Sequence, residues 1–432
     1  MRGRLLAGAI LVAAGIVGWL SITSVLVARL LQGAILLSLF YVGYLAWQGW
    51  RIMRRSFRAG HDTLPSPLPW ITVVVPAADE AGVIGGIAAD LAAQDYGVPV
   101  TPRYDVLIVD DGSTDETAAR AAAAAPGARV VRREPDSGPA TKGAVLAWAM
   151  PQVRGEVVAV LDADSRVSPG FLSSAMAAWA RDPDAAALQV QRRASNRRHA
   201  WLAAAQDEEQ LMDMASQCGR WASDGTAELR GNGMFVRVDA LHAAGGWPDR
   251  ALTEDLDLST RLTATGARVV LAPDVQVVEQ AVERIGHLWR QRLRWAEGSL
   301  RRLIEHGPGL VANSRLPLGR RLDFVLFIGE FLIPPVFVAS IAASLLTIPL
   351  PQPANWAVPI TLFIGYGLGT YLLAVAGLSA RGGAALSHLG RALRGALFLS
   401  HWLLIVPAAL LKIAVGPSST DFVRTPRAPT SA

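Results

Sequence analysis

"YDVLIVDDGSTDETA", residues 104 to 118, sets the architecture of the middle of the chain. Val106 to Val109 form an unbroken apolar run, the pattern of a strand buried on both faces. The run stops abruptly at two adjacent acids, Asp110 and Asp111. Gly112 permits a tight turn, and Ser113 or Thr114 can cap a following helix whose positive end suits Asp115 and Glu116. Capping accounts for Ser113 to Glu116. It does not account for two carboxylates at the end of a buried strand.

Similar runs lie on both sides. "WITVVVP" (70 to 76), "ARVVRR" (128 to 133) and "EVVAVLD" (156 to 162) also read as strands buried on both faces. Between them "AGVIGGIAADLAAQ", "DETAARAAAAA" and "ATKGAVLAWAM" read as helices. Strand and helix in alternation imply an α/β domain with a doubly wound, mainly parallel sheet, whose ligands bind at the carboxyl ends of the strands. The acids at strand ends are therefore the first candidates for chemistry. In "VVAVLDADSRVSPG", Asp162 and Asp164 are two residues apart and on an extended strand would point to the same side. Converging carboxylates repel unless a cation lies between them. A hard divalent ion such as Mg2+ or Mn2+, bridging carboxylates to substrate phosphates, is the usual solution.

The flanks differ in character. Hydrophobic residues make up 51% of the 432-residue chain, above the usual soluble range. Residues 5 to 28 carry no charge and exceed the about 20 apolar residues that span a bilayer. A second run, 30 to 50, follows directly, which disfavours a cleaved signal peptide. Further apolar runs at roughly 331 to 350, 356 to 378 and 396 to 415 bring the expected spans to five. Arg2, Arg4, Arg51, Arg54, Arg55 and Arg58 flank the first two, while Arg381, Arg391 and Arg394 fall between the fourth and fifth. The loop "PQPAN" (351 to 355) has none, so the positive-inside rule predicts a cytoplasmic central domain and an external C-terminus. The expected divisions are a transmembrane hairpin with its basic flank (1–58), a catalytic domain (68–283), amphipathic interface helices (284–321), C-terminal spans (322–416) and a polar tail (417–432). The formal charge of +5 rests almost wholly on arginine, with lysine only at Lys142 and Lys412. Such a bias gives no support for a nucleic-acid partner. The single cysteine, Cys218, excludes an intramolecular disulfide and a cysteine-cluster metal site.

In order along the chain, "PAADE" (76 to 80), "DDGSTD" (110 to 115), "DAD" (162 to 164), "TED" (253 to 255) and "QRLRW" (291 to 295) resemble the motif series of the family 2 glycosyltransferases, which include cellulose, chitin and hyaluronan synthases. Asp79 departs from the asparagine usual in the first motif, and Glu80 matches. The resemblance implies a GT-A-type nucleotide-sugar domain inserted between N- and C-terminal transmembrane helices, in a bacterial inner membrane. It implies a UDP-sugar donor bound by Glu80, Asp110, Asp111, Lys142, Asp162 and Arg294, with metal on Asp162 and Asp164. It makes Asp255 the base, with Glu254 beside it, and assigns Gln291, Trp295 and Trp247 to the acceptor. On physical grounds, a carboxylate flanked by Glu254 and Asp257 has a raised proton affinity, which suits a base. "TEDLD" also reads simply as a helix start capped by Thr253, and Trp247 equally fits a loop-strand-loop connection.

"GNGMFVR", "GGWPDRALTEDLDLSTRL" and "LWRQRLRWAEGSLRRLIEH" are similar to the branch containing the bacterial β-monoglucosyldiacylglycerol synthases. That similarity implies transfer of one glucose to diacylglycerol. A processive polysaccharide synthase of the poly-N-acetylglucosamine, cellulose or hyaluronan type is the alternative, with a glycan acceptor. A transporter is disfavoured because the clear spans show no charged residue of the kind that marks a substrate path and no phosphate-loop motif occurs. On a helix, Gln291, Arg294 and Trp295 share one face. The other arginines, Arg301 among them, are expected against anionic lipid.

Overall fold

The structure, a computed structural model, describes residues 2–60, 63–97, 101–134, 141–349, 355–383 and 385–416. The expected tail (417–432) and residues 351–354 of the expected external loop lie outside the described residues. Helices α1 (Arg2–Thr23) and α2 (Val25–Ser56) come first. Then follow β1 (Ile71–Ala77), α3 (Ile84–Ala92), β2 (Tyr104–Asp111), α4 (Thr117–Ala124), β3 (Arg129–Arg133), α5 (Lys142–Ala149) and β4 (Val157–Val160). After β4 come α6 (Phe171–Trp179), β5 (Ala187–Ala194), α7 (Trp201–Ala222), β6 (Met234–Arg237), α8 (Val238–Ala243), α9 (Glu254–Ala264) and β7 (Val269–Glu279). The chain continues through α10 (Ile285–Ala312), α11 (Leu318–Glu330), α12 (Ile333–Thr347), α13 (Ala357–Ser379), α14 (Ala385–Leu399) and α15 (Trp402–Val415).

Two compact units result. The described residues of the α/β unit lie within Met53–Gln210 and Thr226–His287, and those of the helical unit within Met1–Ile52, Leu211–Gly225 and Leu288–Ser419. In the α/β unit the described strands form one seven-stranded sheet in the order β3-β2-β1-β4-β6-β5-β7. All neighbours are parallel except β6, which runs antiparallel to β4 and β5. The sheet therefore grows in both directions from the β1–β4 pair, the place where an open α/β sheet leaves a crevice for ligand. Because β6 is reversed, its amino end meets the carboxyl end of β4, with Met234 opposite Val160. The glycine turn before β6 and the acidic turn after β4 thus share one edge of the sheet.

The four strands read from the sequence are all present. β3 is the exception in burial: it is the edge strand and half exposed, because among the described residues nothing pairs with its outer side. β5, β6 and β7 extend the sheet beyond the sequence reading. α4 begins at Thr117, so neither Ser113 nor Thr114 caps it. The Asp115 carboxylate takes that place, accepting the Thr117 N–H at 3.0 Å. Asp79 has φ +53, a left-handed conformation that Asn and Asp tolerate better than other non-glycine residues, which explains why an aspartate can stand where the family pattern has asparagine.

In the helical unit, five stretches among the described residues are long and apolar enough to cross a membrane: Gly3–Thr23, Val25–Ser56, Leu318–Thr347, Ala357–Ser379 and Leu386–Val415. The number agrees with the expected five. The third begins earlier than expected and takes in Asp323 and Glu330; Asp323 is paired, with Arg220 Nη2 3.0 Å from its Oδ2 and the Tyr41 hydroxyl donating to its Oδ1 at 2.8 Å. Backbones approach closely where side chains are absent. A Cβ on Gly49 would lie 2.0 Å from the Ala215 carbonyl oxygen, and one on Gly219 would lie 2.3 Å from that of Leu45, so α2 and the end of α7 cross at two glycines.

Arg391 and Arg394, expected between the fourth and fifth apolar runs, lie in helix α14, within the fifth stretch. The spans are also not free of charge: Lys412 sits in α15 and pairs with buried Glu297 of α10 at 2.8 Å. The pair is compatible with an apolar surrounding because each charge finds its opposite.

Candidate active site

The start of α5, the turn after β4, the turn before β6 and the start of α9 bring one group of side chains together in the α/β unit. α5 opens with Lys142, whose Nζ donates to Asp162 Oδ1 at 2.5 Å and to the Gly231 carbonyl at 2.6 Å. The Glu254 carboxylate lies 3.7 Å from the same nitrogen. Glu254 and Asp255 are the first two residues of α9, where a carboxylate meets unpaired backbone donors and the positive helix end. Thr253 occupies the cap position without a side-chain cap hydrogen bond, contrary to the sequence reading. Gly231 has φ +74, and a Cβ there would come within 3.2 Å of Asp255 Oδ2, so the backbone approaches the acid because the residue is glycine.

Burial drives the electrostatics. It raises the Glu254 carboxyl; Lys142 opposes and Asp255 reinforces the effect, and the group is pushed up to about 7. Burial also lifts Asp255 above the usual carboxylate range, against the Leu256 backbone N–H and the charges of Lys142, Arg230 and Arg192. For Lys142, burial disfavours the charge, but Asp162 and Glu254 outweigh it and hold the ammonium above its ordinary value. A carboxylate poised to take a proton beside a fixed cation is the arrangement general-base chemistry requires.

Asp162 and Asp164 lie in the turn after β4, beyond its last residue Val160, so the same-side argument from an extended strand does not apply. Asp162 is held by Lys142, whereas Asp164 Oδ2 accepts the Gln280 N–H at 3.3 Å. Among the described residues no three His, Cys, Asp or Glu side chains gather into a metal-holding group. An ion on Asp162 and Asp164 would thus complete its shell with water or phosphate oxygens, which suits Mg2+ or Mn2+ with a nucleotide.

At the β2 end, Asp110 is fully buried, receiving the Ser113 N–H at 3.1 Å and Arg132 Nη1 at 2.9 Å. Asp111 is paired with buried Arg133 at 2.5 Å. Both pairs follow from register, since Asp110 lies opposite Arg132 and Asp111 opposite Arg133. The Glu80 N–H donates to Thr117 Oγ1 at 2.7 Å, fixing the turn after β1. Trp247 is 6% exposed, and its indole Nε1 meets no hydrogen-bond partner among the described residues.

Gln291, Arg294 and Trp295 lie on α10, the first helix of the last part of the helical unit. Two of the arginines around them are not part of a solvated basic face. Arg292 is buried with its guanidinium 4.1 Å from the centre of the Trp295 ring, and Arg302 is buried over Phe327 at 5.7 Å. Arg301, expected against lipid, is paired with buried Glu297 at 2.7 Å.

Sequence reasoning missed a second buried polar group. Arg192 Nη2 lies 2.5 Å from Glu279 Oε1, and Asn232 Nδ2 donates to Glu279 Oε2 at 2.7 Å. The signal lay in β5, "ALQVQRRA", where Gln189, Gln191 and Arg193 recur at every second position as on the wet face of a half-solvated strand, with Leu188, Val190 and Arg192 on the other face. Gln189, Gln191 and Arg193 are all buried, so the polar face meets protein and not water.

Comparison with known proteins shows the family and the fold. Residues 67–298 match the model of the "glycosyltransferase like family 2". The chain is 32% identical to a β-monoglucosyldiacylglycerol synthase of Synechocystis sp. over 377 residues, covering 84% of this chain and 76% of that one. It is 30% identical to the same enzyme of Nostoc sp. over 373 residues, covering 83% and 76%. Among solved structures, a mannosyltransferase from Pyrobaculum calidifontis in complex with GDP-Man and Mn2+ superposes with a TM-score of 0.60 at 21% identity, over 89% of this chain and 99% of that one.

Proposed function

The chain belongs to the family 2 glycosyltransferases, with a GT-A fold between helices apolar enough to span a membrane, and we propose that it transfers glucose from UDP-glucose to diacylglycerol with inversion at the anomeric carbon. The observation that carries this reading is the meeting of Lys142, Asp162, Glu254 and Asp255 at the β1–β4 crevice. The lipid acceptor is supported by what the two synthase relatives are named for.

In the proposed reaction the acceptor hydroxyl passes its proton to Asp255 as its oxygen bonds to the anomeric carbon. The anomeric C–O bond breaks, and its electron pair leaves with UDP. Lys142 holds a phosphate oxygen of the leaving group, since a partly exposed ammonium between carboxylates offers a charge-assisted donor. A Mg2+ or Mn2+ ion held by Asp162 and Asp164 would supply further neutralisation of the diphosphate. Glu80 and Asp111 are assigned to the uridine and ribose, and Asp110 acts through its ion pair with Arg132. Gln291 and Trp295 are assigned to the acceptor and Arg294 to the donor diphosphate on the strength of the motif; Trp247, being buried, serves by shaping the loop. The catalytic unit is proposed to face the cytoplasm of a bacterial inner membrane.

The test is incubation of the detergent-purified protein with radiolabelled UDP-sugars and membrane lipid, with and without EDTA. An organic-extractable product from UDP-glucose, absent in EDTA, is expected. A polymer that stays out of the organic phase would instead favour a processive synthase.

A further inference from the structure

We propose that Asn232 is a positioning residue that ties the turn carrying Asp162 to the turn carrying Gly231 and fixes both to the far strands β5 and β7. The inference rests on the reading of the site as one for a nucleotide sugar. Asn232 is 1% exposed. Its Oδ1 accepts the Asp162 N–H at 3.2 Å and the Ser165 hydroxyl at 3.0 Å. Its Nδ2 donates to Glu279 Oε2 at 2.7 Å. Glu279 is held in turn by Arg192 at 2.5 Å and by Gln210 Nε2 at 3.0 Å.

The two turns therefore meet twice. Lys142 joins them through Asp162 and the Gly231 carbonyl, and Asn232 joins them through the Asp162 backbone. The adjoining backbone is fixed as well, with the Gly233 N–H donating to the Val160 carbonyl at 3.0 Å. Only an amide serves both ends of the second link. A carboxylate at 232 would accept from Asp162 and Ser165 but confront Glu279 with a like charge, and an apolar isostere would strand buried polar partners. A displaced Asp162 turn would misplace the carboxylate proposed to meet the metal and diphosphate. The base and ribose contacts assigned to Glu80 and Asp111, on β1 and β2, would be untouched.

Isothermal titration of the full-length protein in detergent with UDP, in MnCl2 and in EDTA, tests this. For Asn232→Asp, the affinity for UDP in MnCl2 should fall about 10- to 100-fold, the range for residues that orient metal ligands, and the affinity in EDTA should not change. Adding Glu279→Gln restores one donor and the total charge, and should recover most of the loss. Glu279→Gln alone, which leaves both turns intact in sequence, should give a smaller loss, again confined to MnCl2, and serves if Asn232→Asp does not fold. Equal losses in MnCl2 and EDTA, or wild-type affinity in both variants, would overturn the inference. A wild-type protein that binds no UDP in MnCl2 would overturn the reading of the site itself.

Discussion

The Lys142 ammonium lies 2.5 Å from the Asp162 carboxylate, joining the start of α5 to the turn after β4. One of the two lysines in the chain is thus spent on the acid pair proposed to serve the diphosphate. Lys142→Met leaves Asp162 and Glu254 without their common cation. The expected result is a rise in KM for the sugar nucleotide of roughly 10- to 100-fold, the value of a hydrogen bond to a charged group. Steady-state kinetics across donor concentrations measure it, and an unchanged KM would remove Lys142 from donor binding.

Asp255→Asn keeps the shape of the helix start and removes the proton acceptor. Turnover should fall at least about 100-fold, as for loss of a general base, while UDP affinity by titration stays close to wild type. Parallel loss of binding and turnover would mean that Asp255 holds the site together and does not take the proton.

Glu254 carries its proton up to about 7, against an ordinary value near 4.5. The folded state therefore binds this proton more tightly than the unfolded chain does. The cost to stability is absent below about 4.5, grows as pH rises and is complete above about 7. In EDTA, Glu254→Gln should gain in thermal midpoint relative to wild type at pH 8 compared with pH 5. A difference independent of pH would show that Glu254 titrates normally.

Arg220 and Asp323 form a buried ion pair in the helical unit, 3.0 Å apart. Arg220→Met strands the carboxylate and should cost about 3–5 kcal/mol, read as a lower thermal midpoint in detergent. Arg220→Met with Asp323→Leu removes both charges and should recover much of that loss. No recovery would mean that the pair holds α7 and α11 by geometry that leucine and methionine cannot replace.

The parallel core was legible because strands buried on both faces carry unbroken apolar runs, as β1 does over Val73–Val75, β2 over Val106–Val109 and β4 over Val157–Val160. The acidic strand ends were legible because helix capping does not call for Asp110 beside Asp111, although each is paired with an arginine of β3, and the TED and DAD triplets stood out against an alanine-rich background. The limits have physical causes as well. Whether a residue two beyond another shares its face depends on where the strand stops, and β4 stops at Val160, before Asp162. The polar alternation of β5 was silent because the same pattern describes a wet face and a buried hydrogen-bonded one. Asn232 gave no signal, since its three partners come from Asp162, Ser165 and Glu279, distant in sequence. Arginine density in α10 suggested a surface, yet Arg292 and Arg302 are buried against aromatic rings.

The proposed reaction transfers a single glucose to a lipid hydroxyl with inversion. Its most direct test is the product formed by the purified protein from UDP-glucose and diacylglycerol, taken into organic solvent and examined by mass spectrometry and proton NMR of the anomeric position. One hexose per diacylglycerol in the β configuration is expected. An α-linked product would contradict inversion, and a glycan chain with no lipid attached would contradict the acceptor.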